Sequence, residues 1–250
     1  MLVPRKKKAA AASIIFLAVV PARAGSKGVP GKNIRKLAGR PVVAWAVASA
    51  LRARLVTHIA VSSDGADILA AAAISKRVFL VRRPPALGRD TTAILDVYRQ
   101  AVLEFERGRS CRVDYVVGLQ PTSPFRSPRD IDACIERAVK TRADVIVSAR
   151  EARENPYFVQ IEPDRRDPRW YRQVKRCRVV RRQDLPPVFV VNGAVYVFSR
   201  KALFGIKHLY DAKRFGIVPM PWTRSVDLDT EDDFLLAEFL LARGTVRLKS

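Results

Sequence analysis

Histidine and cysteine are scarce. The 250-residue chain holds two histidines, His58 and His208, and three cysteines, Cys111, Cys134 and Cys177. Their spacing matches neither a zinc-finger pattern nor a disulfide framework of a small secreted domain. An odd, unpaired set fits reduced thiols in a cytoplasmic protein. Long hydrophobic runs are also missing. The longest, 9–20, stops at Pro21 and falls short of the roughly 18–20 apolar residues that a membrane span needs. Low-complexity sequence is nearly absent and 48% of residues are hydrophobic, which excludes a disordered chain. Acidic residues are few beside basic ones: 24 Asp and Glu face 46 Lys and Arg, a formal net charge of +22. Such a charge attracts polyanions, or small phosphorylated and carboxylated substrates. Aromatic residues are not interleaved with basic ones on strands, apart from Trp170 and Tyr171. Nucleic acid is therefore not the expected partner.

What is present is an alternation of strands and helices. The start has two readings. "RKKK", the apolar run and "ARA" (22–24) resemble a secretory leader. Residues 14–20, "IIFLAVV", equally read as a strand buried on both faces. Glycines and lysines follow at once, in "GSKGVPGKN", and a discarded leader places no demand on what comes after it. The strand reading is favoured, with residues 1–12 as a basic, flexible extension. Next come a helix over 41–53, a strand over 56–63 and a short helix after Asp64. A strand follows at "RVFLVRR", then a helix over 90–107 opened by an Asp/Thr cap. The series continues with strand "VDYVVGLQ", a helix opened by Ser127-Pro128, and strand "ADVIVSA". This pattern predicts an α/β fold: an open, mostly parallel, doubly wound sheet with helices on both faces. Residues 153–189 break the alternation. They are polar, basic and rich in proline and aromatics, and they read as an arm inserted into a single domain over 13–250.

In open parallel sheets, ligands bind beyond the carboxyl ends of the strands. Three polar segments fall there: 23–33 after the first strand, Asp64 after the second and 120–126 after the fourth. The loop 23–33 is neither a dinucleotide fingerprint nor a Walker A loop. Its glycines still let backbone N–H groups approach an anion, and Arg23, Lys27 and Lys32 add charge. A tight surface turn explains the glycines equally well. In "SVDLDTEDDF" (225–234), Asp227 and Asp229 stand two apart, so both carboxylates of an extended segment project to one face. Paired carboxylates opposite phosphates are the usual seat of Mg²⁺. Thr230 with Asp233 reads as a capping box, which leaves Asp227 unexplained. In "LQPTSPFRS" (119–127), two prolines fix a loop on which Gln120, Thr122, Ser123 and Arg126 offer hydrogen bonds.

Taken together, "VVPARAGSKGVPGKN", "LGRDTT", "DYVVGLQPTSPFRS", "VVNGAVYVF" and "SVDLDTEDDF" resemble, in order and spacing, the acylneuraminate cytidylyltransferases (CMP-sialic acid synthetases). The resemblance runs over 14–241. It implies a Rossmann-like nucleotidyltransferase fold and transfer of CMP from CTP to a nine-carbon 2-keto sugar acid, with Mg²⁺ as cofactor. It further implies that Arg23, Ser26, Lys32 and Asn33 lie along the phosphates and ribose. Arg83 and the loop 87–92, with Asp90 and Thr92, would flank the nucleotide. Gln120, Arg182, Asn192 and Tyr196 would meet the sugar acid, and Asp227 and Asp229 would bind the metal. Arg23, Lys32 and Asp229 would carry catalysis. The arm would make a homodimer. Ala24 departs from the glycine usual in the first loop, and Ile94 from the small polar residue frequent near the nucleotide. The arm diverges most, so sialic, legionaminic, pseudaminic and related acids all stay open as substrates.

Overall fold

The computed structural model describes residues 14–26, 28–88, 92–179 and 181–248. The chain opens with β1 (Phe16–Pro21), followed by a two-stranded ribbon, β2 (Lys36–Leu37) and β3 (Arg40–Pro41). Then come α1 (Val42–Arg52), β4 (His58–Ser63), α2 (Ala66–Ala72), β5 (Val78–Arg82), α3 (Ile94–Arg109), β6 (Tyr115–Gly118), α4 (Pro128–Thr141) and β7 (Val145–Glu151). The arm carries a second ribbon, β8 (Ile161–Pro163) and β9 (Tyr171–Gln173). The chain returns through β10 (Phe189–Ser199), α5 (Arg200–Gly205), β11 (Phe215–Pro219) and α6 (Glu231–Ala242).

Seven strands form the main sheet in the order β11-β7-β10-β6-β1-β4-β5. All neighbours pair in parallel except β10, which runs antiparallel to both β6 and β7. The sheet is thus doubly wound and mostly parallel, as the alternation predicts. β1 lies inside the sheet between β6 and β4, and every one of its residues is buried. Side-chain alternation splits it between two cores. Ala18 and Val20 join the core under α1, α2 and α4, where Val47, Ile68 and Ile135 pack. Leu17 and Val19 join the opposite core, with Tyr98, Val102 and Phe105 of α3 and Leu203 of α5. A leader could not fill that place without emptying both cores.

Helix starts follow local chemistry. Ser127 caps α4 in a reciprocal box with Asp130, and Pro128 occupies the first turn. Thr230 and Asp233 form the same box on α6. The expected Asp/Thr cap on α3 is not found: the helix starts at Ile94, behind Ala93, with no side-chain cap. Helix α5 and the edge strand β11 were not expected from the sequence, because each is short. Among the described residues no helix is long and apolar enough to cross a membrane, and the three cysteines are free thiols.

Candidate active site

A third core fixes the site. Val29 of the glycine loop, Phe125 of the loop after β6, and Val226 and Leu228 of the acidic segment all bury against Trp45 of α1 and Phe234 and Leu240 of α6. Because Val226 and Leu228 point inward, Asp227 and Asp229 point the other way, as their spacing predicts. Both line a cleft of about 550 Å³ at the carboxyl ends of β1, β5 and β6, together with Arg23, Ser26, Gly28, Lys32, Asn33, Arg83, Thr92, Gln120, Thr122 and Tyr196. Three segments far apart in the chain are thereby assembled at one edge of the sheet.

The glycine loop is closely fitted. Asn33 Nδ2 donates to the Arg23 carbonyl at 2.8 Å, and the Ala24 N–H donates to Asp64 Oδ1 at 2.9 Å. A Cβ on Gly28 would stand 2.3 Å from the Asp229 carbonyl oxygen, so only glycine permits this approach. Lys32 Nζ meets Asp229 Oδ1 at 2.7 Å. Arg83 is buried and donates to the Ser62 carbonyl at 2.9 Å. Burial draws its pKa down, and Asp64 partly opposes this.

Asp227 sits deeper than Asp229. Burial raises its pKa, the Thr122 side chain opposes this by hydrogen bonding, and Asp229 adds to the rise. Its Oδ1 is buried without a hydrogen-bond partner among the described residues. A buried, underused carboxylate oxygen beside a second carboxylate is a donor set that a hard divalent cation satisfies. The two carboxylates leave most of an octahedral shell to phosphate oxygens and water, as Mg²⁺ requires. The residues present therefore fit the ion.

β10 reaches this edge because it runs antiparallel: its early residues lie where the parallel strands end. Its register shifts between Val191 and Tyr196, and Gly193 in this bulge has φ +74°, a conformation suited to glycine. Tyr196 faces the cleft, and burial pushes its phenol up to about 12. Asn192 lies beside it, but its amide is held internally. Oδ1 accepts from Ser148 Oγ at 2.6 Å and Nδ2 donates to Ser225 Oγ at 2.8 Å. A second cleft of about 620 Å³, with Arg150, Arg153 and Trp222, shares Gly193, Tyr196, Asp227 and Asp229 with the first. Ile94 also lines the first cleft. Lys27, Asp90 and the Arg182 side chain lie outside the described residues.

Sequence reasoning missed two groups. The sequence places Asp64 at a strand end but gives no sign that it anchors the first loop. Arg126 was one hydrogen-bonding residue among several, whereas it is buried, at 3% exposure. No sequence signal separated it from a surface arginine.

A phosphate-sized loop facing two carboxylates at the edge of a doubly wound sheet defines a nucleotidyltransferase. The chain belongs to the cytidylyltransferase family, whose model matches residues 17–204. It is 31% identical to post-translational flagellin modification protein B of Campylobacter coli, over 94% of this chain and 98% of that protein. It is also 31% identical to the CMP-N,N'-diacetyllegionaminic acid synthase of Legionella pneumophila, over 90% and 96% of the two chains. The N-acylneuraminate cytidylyltransferase of Streptococcus agalactiae is 27% identical over 88% of this chain, but over only 51% of its own length. In fold, the chain resembles CMP:2-keto-3-deoxy-manno-octonic acid synthetase complexed with CTP. The TM-score is 0.64 at 18% identity, covering 92% of this chain and 99% of that one.

Proposed function

We propose that this enzyme transfers CMP from CTP to the anomeric hydroxyl of a sialic-acid-like nine-carbon 2-keto sugar acid and releases pyrophosphate. The observation that carries the reading is the shared wall: two clefts meet at Gly193, Tyr196, Asp227 and Asp229. The first, with its glycine loop and cations, suits a nucleoside triphosphate. The second, with Arg150 and Arg153 at its edge, suits an acidic acceptor. Relatives of nearly equal length named for legionaminic acid support the nine-carbon class.

In this reading the sugar hydroxyl oxygen attacks the α-phosphorus. The bond from that phosphorus to the bridging oxygen breaks, pyrophosphate leaves with the electron pair, and the hydroxyl proton passes to solvent. Such a reaction is governed by positioning and charge neutralisation. Arg23 and Lys32 neutralise charge on the phosphates. Asn33 holds the Arg23 carbonyl and so the loop's shape. Ser26, Arg83 and Thr92 border the nucleotide, with Asp90 assigned to the same loop. Gln120 and Tyr196 stand between donor and acceptor, and Arg182 is assigned to the acceptor's carboxylate. Asn192 supports the bulge from behind. Asp227 and Asp229 would hold Mg²⁺, which would supply charge stabilisation to the phosphates and activation of the attacking hydroxyl.

The arm is assigned to a homodimer contact. Ile161, Trp170 and Tyr171 on or beside its two-stranded ribbon are 63%, 68% and 64% exposed, and a lone ribbon with outward apolar side chains is marginal without a partner. The three free thiols favour a cytoplasmic location.

The test is pyrophosphate release from CTP and Mg²⁺ with a panel of sialic, legionaminic, pseudaminic and eight-carbon keto-deoxy acids. Release with a nine-carbon acid is expected. Release with the eight-carbon acid alone would move the acceptor assignment, and no release with any acid, alongside tight RNA binding at physiological salt, would replace the reading with polyanion binding.

A further inference from the structure

The most buried cation beside the active site has no place in the mechanism above. Arg126 follows the loop after β6 and is 3% exposed. Its Nη1 donates to the Gln120 carbonyl at 2.5 Å and to the Ala194 carbonyl at 3.1 Å. Its Nε donates to Ser49 Oγ at 3.3 Å, and Ser49 in turn donates to the Ala46 carbonyl within α1. One planar side chain therefore ties the β6 loop, β10 and α1 together.

Two parts of the site hang from this tie. The first is the loop 120–122. Gln120 and Thr122 line the nucleotide cleft beside Asp227, and the Thr122 carbonyl accepts the N–H of Leu228, the residue after Asp227, at 2.8 Å. The second is the bulge before Ala194, where a Cβ on Gly193 would come within 3.6 Å of Asp227 Oδ2. Moving the two carbonyls apart would shift Gln120, Thr122 and, through Thr122, Asp227.

Stability alone is a poor reason for this arrangement. Burial pulls the Arg126 pKa down to about 9, and its Nη2 has no hydrogen-bond partner among the described residues. Keeping a guanidinium charged in such a place is unfavourable, and apolar residues of similar volume often replace buried ions without loss of stability. What an apolar residue cannot do is hold two backbone carbonyls at a fixed separation.

We infer that Arg126 is a positioning residue for the transfer step, setting the separation between the Gln120–Thr122 loop and the β10 bulge and thereby the placement of Asp227. The inference rests on the cytidylyl-transfer reading. Arg23, Lys32 and Asn33 stand on the β1 loop, and the hydrogen bonds of Arg126 run instead to Gln120, Ala194 and Ser49, so the cations that grip the phosphates keep their places without it.

The experiment compares wild type, Arg126→Met and Arg126→Lys with CTP, Mg²⁺ and the sugar acid that the wild type uses. For the Met variant, kcat should fall about a hundredfold, the effect of roughly 1 Å of misplacement. KM for CTP should stay within about twofold, since uniform binding is untouched. Arg126→Lys, which keeps the charge but not the fork, should recover part of the kcat. Unchanged kcat in the Met variant, or a rise in KM for CTP as large as the fall in kcat, would overturn the inference. If the Met variant does not fold, the Lys variant carries the same comparison, and wild-type kcat there overturns it. Amide hydrogen exchange gives an activity-independent reading. Faster exchange over 120–123 and 193–196, with α4 unchanged, is expected, and unchanged exchange in both segments overturns the inference even if no acid supports turnover. A wild type that releases no pyrophosphate sinks only the cytidylyl-transfer reading, and an active wild type with an equally active Met variant sinks only the role of Arg126.

Discussion

Lys32 Nζ lies 2.7 Å from Asp229 Oδ1, an ion pair that joins the glycine loop to the acidic segment across 197 positions of sequence. Asp229 keeps 66% of its side chain exposed while Lys32 keeps 12%. In this state the lysine neutralises a carboxylate that, in the proposed reaction, faces Mg²⁺ and phosphate. Nucleotide binding then exchanges one anion for another at Lys32 without leaving its charge alone.

Asp229→Asn follows from that exchange. An exposed ion pair contributes about 0–1 kcal/mol, so thermal unfolding should hardly move. Turnover should fall by about a thousandfold or more, as when a group facing transition-state charge is lost. Pyrophosphate release and a melting curve on the same preparation check both parts. Near-wild-type turnover would remove Asp229 from the metal site.

Gly28→Ala tests the close approach of the two segments. The added Cβ would meet the Asp229 carbonyl oxygen at 2.3 Å, and backbone gives way less easily than a side-chain tip. The loop must move outward, carrying Lys32 and Asn33 with it. KM for CTP should rise about tenfold, the equivalent of about 1.4 kcal/mol of lost binding. Steady-state kinetics with varied CTP is the check, and an unaltered KM would show that the loop has slack there.

The sheet was legible because its signals are local. Buried parallel strands such as Phe16–Pro21 are continuously apolar, and Ser127-Pro128 marks a helix start by itself. The Asp227/Asp229 pair was legible through its spacing on an extended segment. What was not legible depends on tertiary contact. Nothing adjacent to Asn192 says that Ser148 and Ser225 will take both ends of its amide. Nothing beside Arg126 says that it will be buried under two carbonyls. The antiparallel sense of β10 was equally hidden, since strand direction is set by the long return through the arm. The cap on α3 failed because a Thr-rich loop before a helix is only a propensity, and the helix begins beyond it at Ile94.

A pH-dependent contribution to stability is expected from Glu106 on α3. Burial alone would raise its pKa, but hydrogen bonds from Arg200 and from the Val113 N–H hold it below its ordinary value of 4.5. Glu106 Oε2 accepts from Arg200 Nη2 at 2.8 Å, and Oε1 accepts from Val113 N at 2.8 Å. A carboxylate with a depressed folded-state pKa stabilises the protein above its unfolded-state value. That contribution is lost as pH falls through the folded value. Glu106→Gln should therefore destabilise by about 1.5–3 kcal/mol near neutral pH, the range for hydrogen bonds to a charged group. The difference should shrink below pH 4.5. Denaturant unfolding of both proteins at several pH values measures it, and a difference that stays constant down to strong acid would refute the linkage.

The arm offers a prediction about assembly. Ile161 of β8 and Tyr171 of β9 are each more than three-fifths exposed, yet the ribbon they belong to forms a separate two-stranded sheet. Burying a side chain of this size is worth about 1.5–3 kcal/mol, and a two-stranded ribbon has little else to hold it. A second copy of the chain supplies that burial if the arms pack on each other. Placing a carboxylate at the centre of such a contact leaves a charge buried without a partner. Ile161→Asp combined with Tyr171→Asp should therefore shift the protein from dimer to monomer at micromolar concentration, with the unfolding of the main sheet unchanged. Light scattering coupled to size separation reads the mass directly. A wild type that is monomeric at the same concentration, or a double variant that stays dimeric, would place the contact elsewhere.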